Sequence, residues 1–372
     1  MKIIIAPDKF KGSLTGMEFC ETVERGLRKY SSNVEIINLP LADAGDGTIE
    51  VLNYYLDGEM ISLEVHDPLH RKIKASYLYS KSKKTAYIEM AEASGIRLLK
   101  MNEANPMLTS TYGTGELIKD ALERGVEHII LGIGGSATND AGLGMARALG
   151  YRFFNQYKEE LKGLGEDLIQ LHSIDKSTVH PRLKEVKFEV ACDVDNPLFG
   201  ERGAAYIYSP QKGASSEMVL ELDAGLQNFN EVVKAQYDID LHEISGAGAA
   251  GGLGGGAMLF LKAMLSSGID LIKKEANFNT HIKDADWIIT GEGKLDKQTF
   301  SGKVIRGIID SIDMQKLALF CAVVDLTEKE KQAINSDYIA ETSVYAKNVD
   351  DSIKNAGKYL EQAVEEFAKN NL

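Results

Sequence analysis

The chain has 372 residues, more than one hydrophobic core usually spans, so two domains are expected. Its 44% hydrophobic and 26% charged residues are those of a globular protein, and a net charge of -13 argues against general affinity for nucleic acid or an anionic membrane. Cys20, Cys192 and Cys321 are scattered, without a C-x-x-C pair or a histidine at metal-ligand spacing, and read as buried thiols in a reducing compartment. The apolar run from Ile3 to Ala6 is broken by Pro7 and Asp8 too early for a signal-peptide core. No later run approaches membrane-spanning length, so the expected location is the cytoplasm.

In chain order, Lys2 to Ala6 reads as a buried strand that delivers a loop, Asp8 to Ser13. Thr15 with Glu18 is a capping-box pattern, and Phe19, Cys20, Val23, Leu27 and Tyr30 form the apolar face of the helix that follows. A second strand, Val34 to Leu39, ends in Ala42-Asp43-Ala44-Gly45-Asp46-Gly47-Thr48. From Ile61 to Met90 short alternating segments predict an antiparallel meander and a change of domain. Thr114 to Arg124 is a predicted helix, His128 to Leu131 a buried strand, and Val186 to Cys192 another strand that ends in Asp193-Val194-Asp195-Asn196-Pro197.

A helix is predicted around Glu217 to Val233, then a glycine tract from Gly246 to Gly256 and an apolar helix from Ala257 to Leu265. Asp286 to Thr290 is a strand that enters Gly291-Glu292-Gly293-Lys294-Leu295-Asp296, with Ser301-Gly302-Lys303 close behind. A helix carrying Ile305, Ile308, Ile309 and Ile312, strands at Leu317 to Val324 and Tyr338 to Val344, and a last helix with Ile353, Leu360, Val364 and Phe367 inward complete the chain. Both ends thus alternate strand and helix. The expectation is an α/β parallel-sheet domain from residues 1–65 and 275–372, interrupted by an inserted mixed α/β domain, 66–274.

The chemistry gathers at the strand ends. Between His128-Ile129-Ile130-Leu131 and the helical spacing of Ala141, Met145, Ala146 and Leu149 lies a turn containing Gly134, Gly135, Ser136, Ala137, Thr138, Asn139 and Asp140. Amides at such a turn lack intrahelical partners and favour phosphate, although a tight turn with Asn139 or Asp140 as helix cap would show the same residues. No G-x-x-x-x-G-K-[ST] occurs, which removes a Walker-type site. Gly132/Gly134/Ala137 and Gly246/Gly248/Gly251 meet the dinucleotide spacing formally, but the first lacks a following acid for a ribose and the second follows a poor strand. Phosphoryl transfer fits better, because it needs amide cradles, carboxylates and lysines rather than covalent chemistry. Lys9, Lys11, Lys294 and Lys303 supply the cations, and Asp8, Asp43, Asp46, Asp140, Asp193, Glu292 and Asp296 the carboxylates. A nicotinamide-dependent oxidoreductase of a small hydroxy acid and a non-catalytic anion-binding protein are the alternatives.

Seven ordered motifs carry a resemblance: Pro7 to Leu14, Ala42 to Thr48, Gly132 to Gly150, Ala191 to Leu198, Gln211-Lys212-Gly213-Ala214, Gly246 to Gly254 and Thr290 to Lys294. Together they resemble the type-1 glycerate kinases from Lys2 to about Lys303. The resemblance implies ATP-dependent phosphorylation of D-glycerate with Mg2+, commonly at the 2-hydroxyl. It also implies a Rossmann- or flavodoxin-like part, an inserted α/β part, and an active site in the cleft between them. On that basis Gly134, Gly135, Ser136, Ala137 and Thr138 are expected to hold the ATP phosphates, with Gly248, Gly251 and Gly252 as the opposing wall and Glu292 and Lys294 as further nucleotide contacts. Asp193 is the expected base or metal ligand. Lys9 and Lys11, beside Asp8, are expected to meet the glycerate carboxylate or the moving phosphoryl group, and Asp43, Asp46 and Asp140 to serve magnesium. The partners implied are glycerate and ATP, with no nucleic acid or membrane; a homo-oligomer stays open. Two departures stand out: the family's D-G-G-E-G-T loop has Ala44 and Asp46 here, and no glycine occurs between Gly307 and Gly357, where Cys321 to Asp325 replaces a glycine-bearing loop.

Overall fold

A computed structural model describes the chain except Ser32, 44–46 and 301–303, with the backbone alone at Gln298 and Phe300. The sequence expectations for Asp46, Ser301, Gly302 and Lys303 lie outside the described residues. The strands in chain order are β1 (Lys2–Ile5), β2 (Glu35–Asn38), β3 (Glu59–His66), β4 (Lys72–Ser80), β5 (Thr85–Glu89), β6 (His128–Gly132), β7 (Arg152–Phe154) and β8 (Ser173–Asp175). They continue as β9 (Lys187–Ala191), β10 (Met264–Ser266), β11 (Trp287–Thr290), β12 (Lys294–Leu295), β13 (Lys316–Cys321), β14 (Val323–Val324) and β15 (Tyr338–Glu341). The chain divides into two compact units, Met1–Tyr55 with Ser267–Leu372, and Leu56–Ser266.

In the first unit the β-branched run Ile3, Ile4 and Ile5 is wholly buried at the middle of a parallel sheet ordered β2-β1-β11-β13-β15. This is the flavodoxin-like strand order, and its direction reverses at β1, which makes the carboxyl end of β1 the switch point. The helix Gly16–Arg28 begins with the capping box formed by Thr15 and Glu18, and buries Phe19, Val23 and Leu27. These pack with Leu360, Val364 and Phe367 of the helix Ala356–Asn371. Each such side chain contributes about 2 kcal/mol by leaving water.

The second unit carries a six-stranded sheet ordered β3-β4-β5-β6-β9-β10. The meander is present as the antiparallel pairs β3/β4 and β4/β5, but β5 also pairs parallel to β6, with Thr85 opposite His128. The parallel run β5, β6, β9, β10 therefore points all its carboxyl ends to one edge. The helix Tyr112–Glu123 returns from β5 towards β6 and buries Leu117, Ile118, Ala121 and Leu122 in the core under this sheet. The hairpin β7/β8 stands apart from it.

Three expected elements differ. The apolar helix is Ala249–Leu261 and stops where Lys262 turns left-handed; Met264 to Ser266 then pairs with β9 as a strand. An apolar run with no polar face carries neither period, so its spacing could not separate these. The strand from Leu317 ends at Cys321, and Val323–Val324 pairs instead with Lys294–Leu295. The last helix is two, Val349–Lys354 and Ala356–Asn371, and Ile353, expected inward, is 48% exposed. No helix among the described residues is long and apolar enough to cross a membrane.

Candidate functional site

At the switch point of the first unit, the loop after β1 is tied to the loop after β11, since Asp8 N–H donates to Gly291 O (3.0 Å). A pocket of about 620 Å³ opens here, with Asp8, Lys9, Lys11, Ser13 and Glu50 among its lining, a volume suited to a small ligand. Asp8 Oδ1 accepts from the Lys9 N–H (2.7 Å), and the Lys9 side chain crosses Gly47, so that a Cβ on Gly47 would lie 3.5 Å from Nζ. Lys11 is exposed and Asp43 half-buried. Of the β11 loop, Glu292 is buried and accepts from Thr299 Oγ1, while Lys294 pairs with Asp325 (2.7 Å) and Asp296 (3.5 Å) beside the β12/β14 ladder. Both are thus engaged within the first unit. The stretch without the family glycine has a structural use: Val323 N–H donates to Gly293 O (3.1 Å) and Asp325 N–H to Leu295 O (2.9 Å).

In the second unit the loop after β6 is exposed at Gly134 and Gly135, partly exposed at Ser136, and buried from Ala137 to Asp140. Gly135 is left-handed (φ +69°), and a Cβ on Gly134 would meet nothing within 4 Å. The loop is held by its carbonyls: Gly135 O accepts from Ile96 N–H (2.9 Å) and Ala137 O from Thr109 Oγ1 (2.9 Å). Ala137 N–H donates inward to Ser94 O (2.9 Å), which takes it out of the expected cradle. No backbone carbonyl among the described residues accepts from the amides of Gly134, Gly135 or Ser136. Successive amides around a left-handed glycine form an anion-binding concavity.

Two buried charges lie behind this loop. Asp140, expected at magnesium, is fully buried: Oδ2 accepts from the N–H and Oγ1 of Thr111 (2.8 and 2.7 Å) and from Gly144 N–H (3.2 Å), and Oδ1 from Gly142 N–H (3.1 Å). Four donors, three on Oδ2 and one on Oδ1, hold this buried carboxylate in place, the arrangement of a structural anchor. Burial pushes its carboxyl up, opposed by those donors. Asn139 and Asp140 do not cap the next helix in the ordinary way, for the cap of Leu143–Ala148 is Gly142 in a left-handed conformation. Lys212 is 2% exposed and donates from Nζ to Ser136 Oγ (2.7 Å) and Thr138 O (2.7 Å). Burial pulls its ammonium down to about 7, with the charge of Asp140 opposing. Among the described residues, Thr138 Oγ1 and Asn139 Nδ2 are buried without a partner.

The second glycine tract packs on this same loop. A Cβ on Gly251 would stand 2.0 Å from Thr138 O, one on Gly252 would stand 3.1 Å from Ala141 Cα, and one on Gly248 would stand 2.1 Å from Pro197 O. Ala141 N–H donates to Gly251 O (3.1 Å), and Gly248 N–H to Asn196 O (3.0 Å). The tract expected as a nucleotide wall is therefore a buried clamp that joins the β6 loop to the β9 loop. Asp193 is exposed where β9 ends, beside β6 in the sheet. Sequence reasoning gave no role to Lys212, Thr111 or Thr109. Lys212 stood within a family motif, but a lone lysine in a turn carries no local sign of burial.

A flavodoxin-like sheet with a charged switch-point loop, and a glycine loop at the carboxyl edge of a further parallel sheet, are the architecture of an α/β protein that binds small ligands, and the class is set by its relatives. The chain belongs to the glycerate kinase family, whose profile matches residues 3–371. It is 42% identical over 368 residues to a glycerate kinase of Halalkalibacterium halodurans (98% of this chain, 97% of that one). It is 45% identical over 308 residues to the glycerate 2-kinase of Escherichia coli (83% and 81%). A crystal structure from Salmonella typhimurium, assigned as glycerate kinase 2, superposes with a TM-score of 0.88 at 36% identity, covering 99% of this chain and 97% of that one.

Proposed function

We propose that this chain transfers the γ-phosphoryl group of ATP to the 2-hydroxyl of D-glycerate, giving 2-phosphoglycerate and ADP, in the cytoplasm. The observation that carries this reading is the β6 loop, exposed at Gly134 and Gly135 and backed at Ser136 by the buried ammonium of Lys212. The name of the Escherichia coli relative supports the 2-position. The phosphates rest on these amides. Lys9 and Lys11 meet the glycerate carboxylate or the moving phosphoryl group, with Asp8 fixing the turn that presents them. Asp193 takes the proton of the attacking hydroxyl as its oxygen bonds to the γ-phosphorus and the bond to the ADP oxygen breaks.

No group of three or more Asp, Glu, His or Cys that could hold a metal ion occurs among the described residues. Magnesium in this reading arrives with the nucleotide, which needs only one or two protein carboxylates; Asp43 is the one proposed for it, and the buried, fourfold hydrogen-bonded Asp140 is not. When bound, the ion neutralises phosphate charge.

The test is ADP release with D-glycerate, followed by NMR of the product. Phosphorus coupled to the single methine proton supports the 2-position; coupling to a methylene overturns it, and absence of ADP overturns the whole reading. Asp193→Asn and Lys11→Ala are each expected to lower turnover at least about tenfold, and wild-type rates in either would require the roles to be rebuilt. Ser136→Ala is expected to raise the KM for ATP alone; a rise confined to glycerate would make this the acceptor's loop.

A further inference from the structure

We propose that Lys212 is a positioning residue of the phosphate loop, holding the Ser136 hydroxyl so that its proton is offered to the bound phosphate while the ammonium, protonated in the bound state, supplies a positive charge behind the amides. This rests on the reading that the β6 loop takes the nucleotide phosphates.

The geometry begins with a short turn. Pro210–Lys212 is one turn of 3-10 helix, closed by Gly213 at φ +92°, where a Cβ would stand 2.1 Å from Ala104 O. That closure buries Lys212, whose Nζ lies 2.7 Å from both Ser136 Oγ and Thr138 O. A serine hydroxyl has one proton to give and two lone pairs. Because the ammonium has only protons, Ser136 Oγ must accept from it, and the hydroxyl proton is left for another acceptor. Ser136 is partly exposed next to Gly134 and Gly135, so that acceptor lies on the outer side with the anion. The contact to Thr138 O fixes the other end of the loop, and Thr138 Oγ1 beside it is buried without a partner among the described residues.

Charge follows the same lines. Asp140 is the charged group whose field acts on Lys212, and its carboxylate already accepts four hydrogen bonds, from Thr111, Gly142 and Gly144. The cation is therefore under-compensated, which is why burial brings it down to about 7. A phosphate on the loop supplies the missing negative charge and raises the ammonium again. Binding then takes up a proton above the free value, and affinity falls as pH rises from about 7 towards the bound value.

Calorimetric titration with magnesium-ATP at about pH 8, where the nucleotide phosphates no longer titrate, in two buffers of different ionisation enthalpy counts that proton. The wild-type protein is expected to take up a measurable fraction of a proton. Lys212→Arg, permanently charged, is expected to take up none, and Lys212→Met to take up none and bind about ten- to a hundredfold more weakly. No proton uptake by wild type, uptake that persists in Lys212→Arg, or wild-type affinity in Lys212→Met would overturn the proposal; the wild-type count decides if either variant fails to fold. Gly134→Asp, a carboxylate set in open space at the loop rim, separates the two readings. If it leaves ATP affinity unchanged, the phosphate assignment itself falls. If it abolishes binding while Lys212→Met does not weaken it, only the role of Lys212 falls.

Discussion

Gly251→Ala is expected to destabilise the second unit by about 3 kcal/mol or more and to abolish most of the kinase activity, whereas Gly255→Ala, in the same tract, is neutral or stabilising by up to about 1 kcal/mol. The contrast follows from what each methyl would meet. At Gly251 the backbone is left-handed (φ +72°) and the new Cβ falls 2.0 Å from Thr138 O and 2.6 Å from Asn139 Cα, so the β6 loop has to move. Those backbone atoms belong to the residues that Lys212 and Ser209 hold in place, through Thr138 O and Asn139 Oδ1, which leaves no cheap direction for the shift. At Gly255 the nearest atoms stand at 3.4 Å, an ordinary contact, and alanine is the better helix former. Thermal unfolding and ADP release on the two variants check this. A Gly251→Ala protein as stable as wild type would mean that the tract is not a clamp.

The parts of this fold that the sequence revealed are those whose cause is local. Ile3 to Ile5 is β-branched and is closed by Pro7 and Asp8, and the pair Thr15 and Glu18 is three residues apart, so both elements are readable without knowing their neighbours. The parallel sheet and the family were legible for the same reason, because glycine-rich loops after apolar runs recur at fixed places. What was not legible depends on distant partners. Met264 to Ser266 becomes a strand only because β9 offers an edge, and Val323–Val324 pairs with a segment nearly thirty positions earlier. Glycine density in the tract 246–256 announced close approach, but not whether the approaching atoms would be a ligand's or the chain's own. The lysine at 212 looked like any turn lysine until the fold placed it under Ser136.

Asp140→Asn gives the sharpest separation between a structural carboxylate and a magnesium ligand. An aspartate at the mouth of a phosphate loop invites a metal role, and a metal ligand changed to asparagine should fold normally and need more magnesium. Here the hydrogen-bond partners of Asp140 are all donors: the N–H and Oγ1 of Thr111 and the N–H groups of Gly142 and Gly144. An asparagine can present one oxygen to them, and its NH2 then faces at least one N–H or O–H with no acceptor between them. The loss combines unmet buried donors with removal of the charge opposite Lys212, and amounts to about 3–5 kcal/mol. The expected result is a much lower unfolding midpoint and little soluble protein, while the magnesium concentration for half-maximal rate in whatever folds stays at the wild-type value. Thr111→Val, which removes a hydroxyl that donates to Asp140 and accepts from Met145 N–H (2.8 Å), should lower stability in the same direction by about 1–3 kcal/mol. A normally stable Asp140→Asn protein with a raised magnesium requirement would return this carboxylate to the metal.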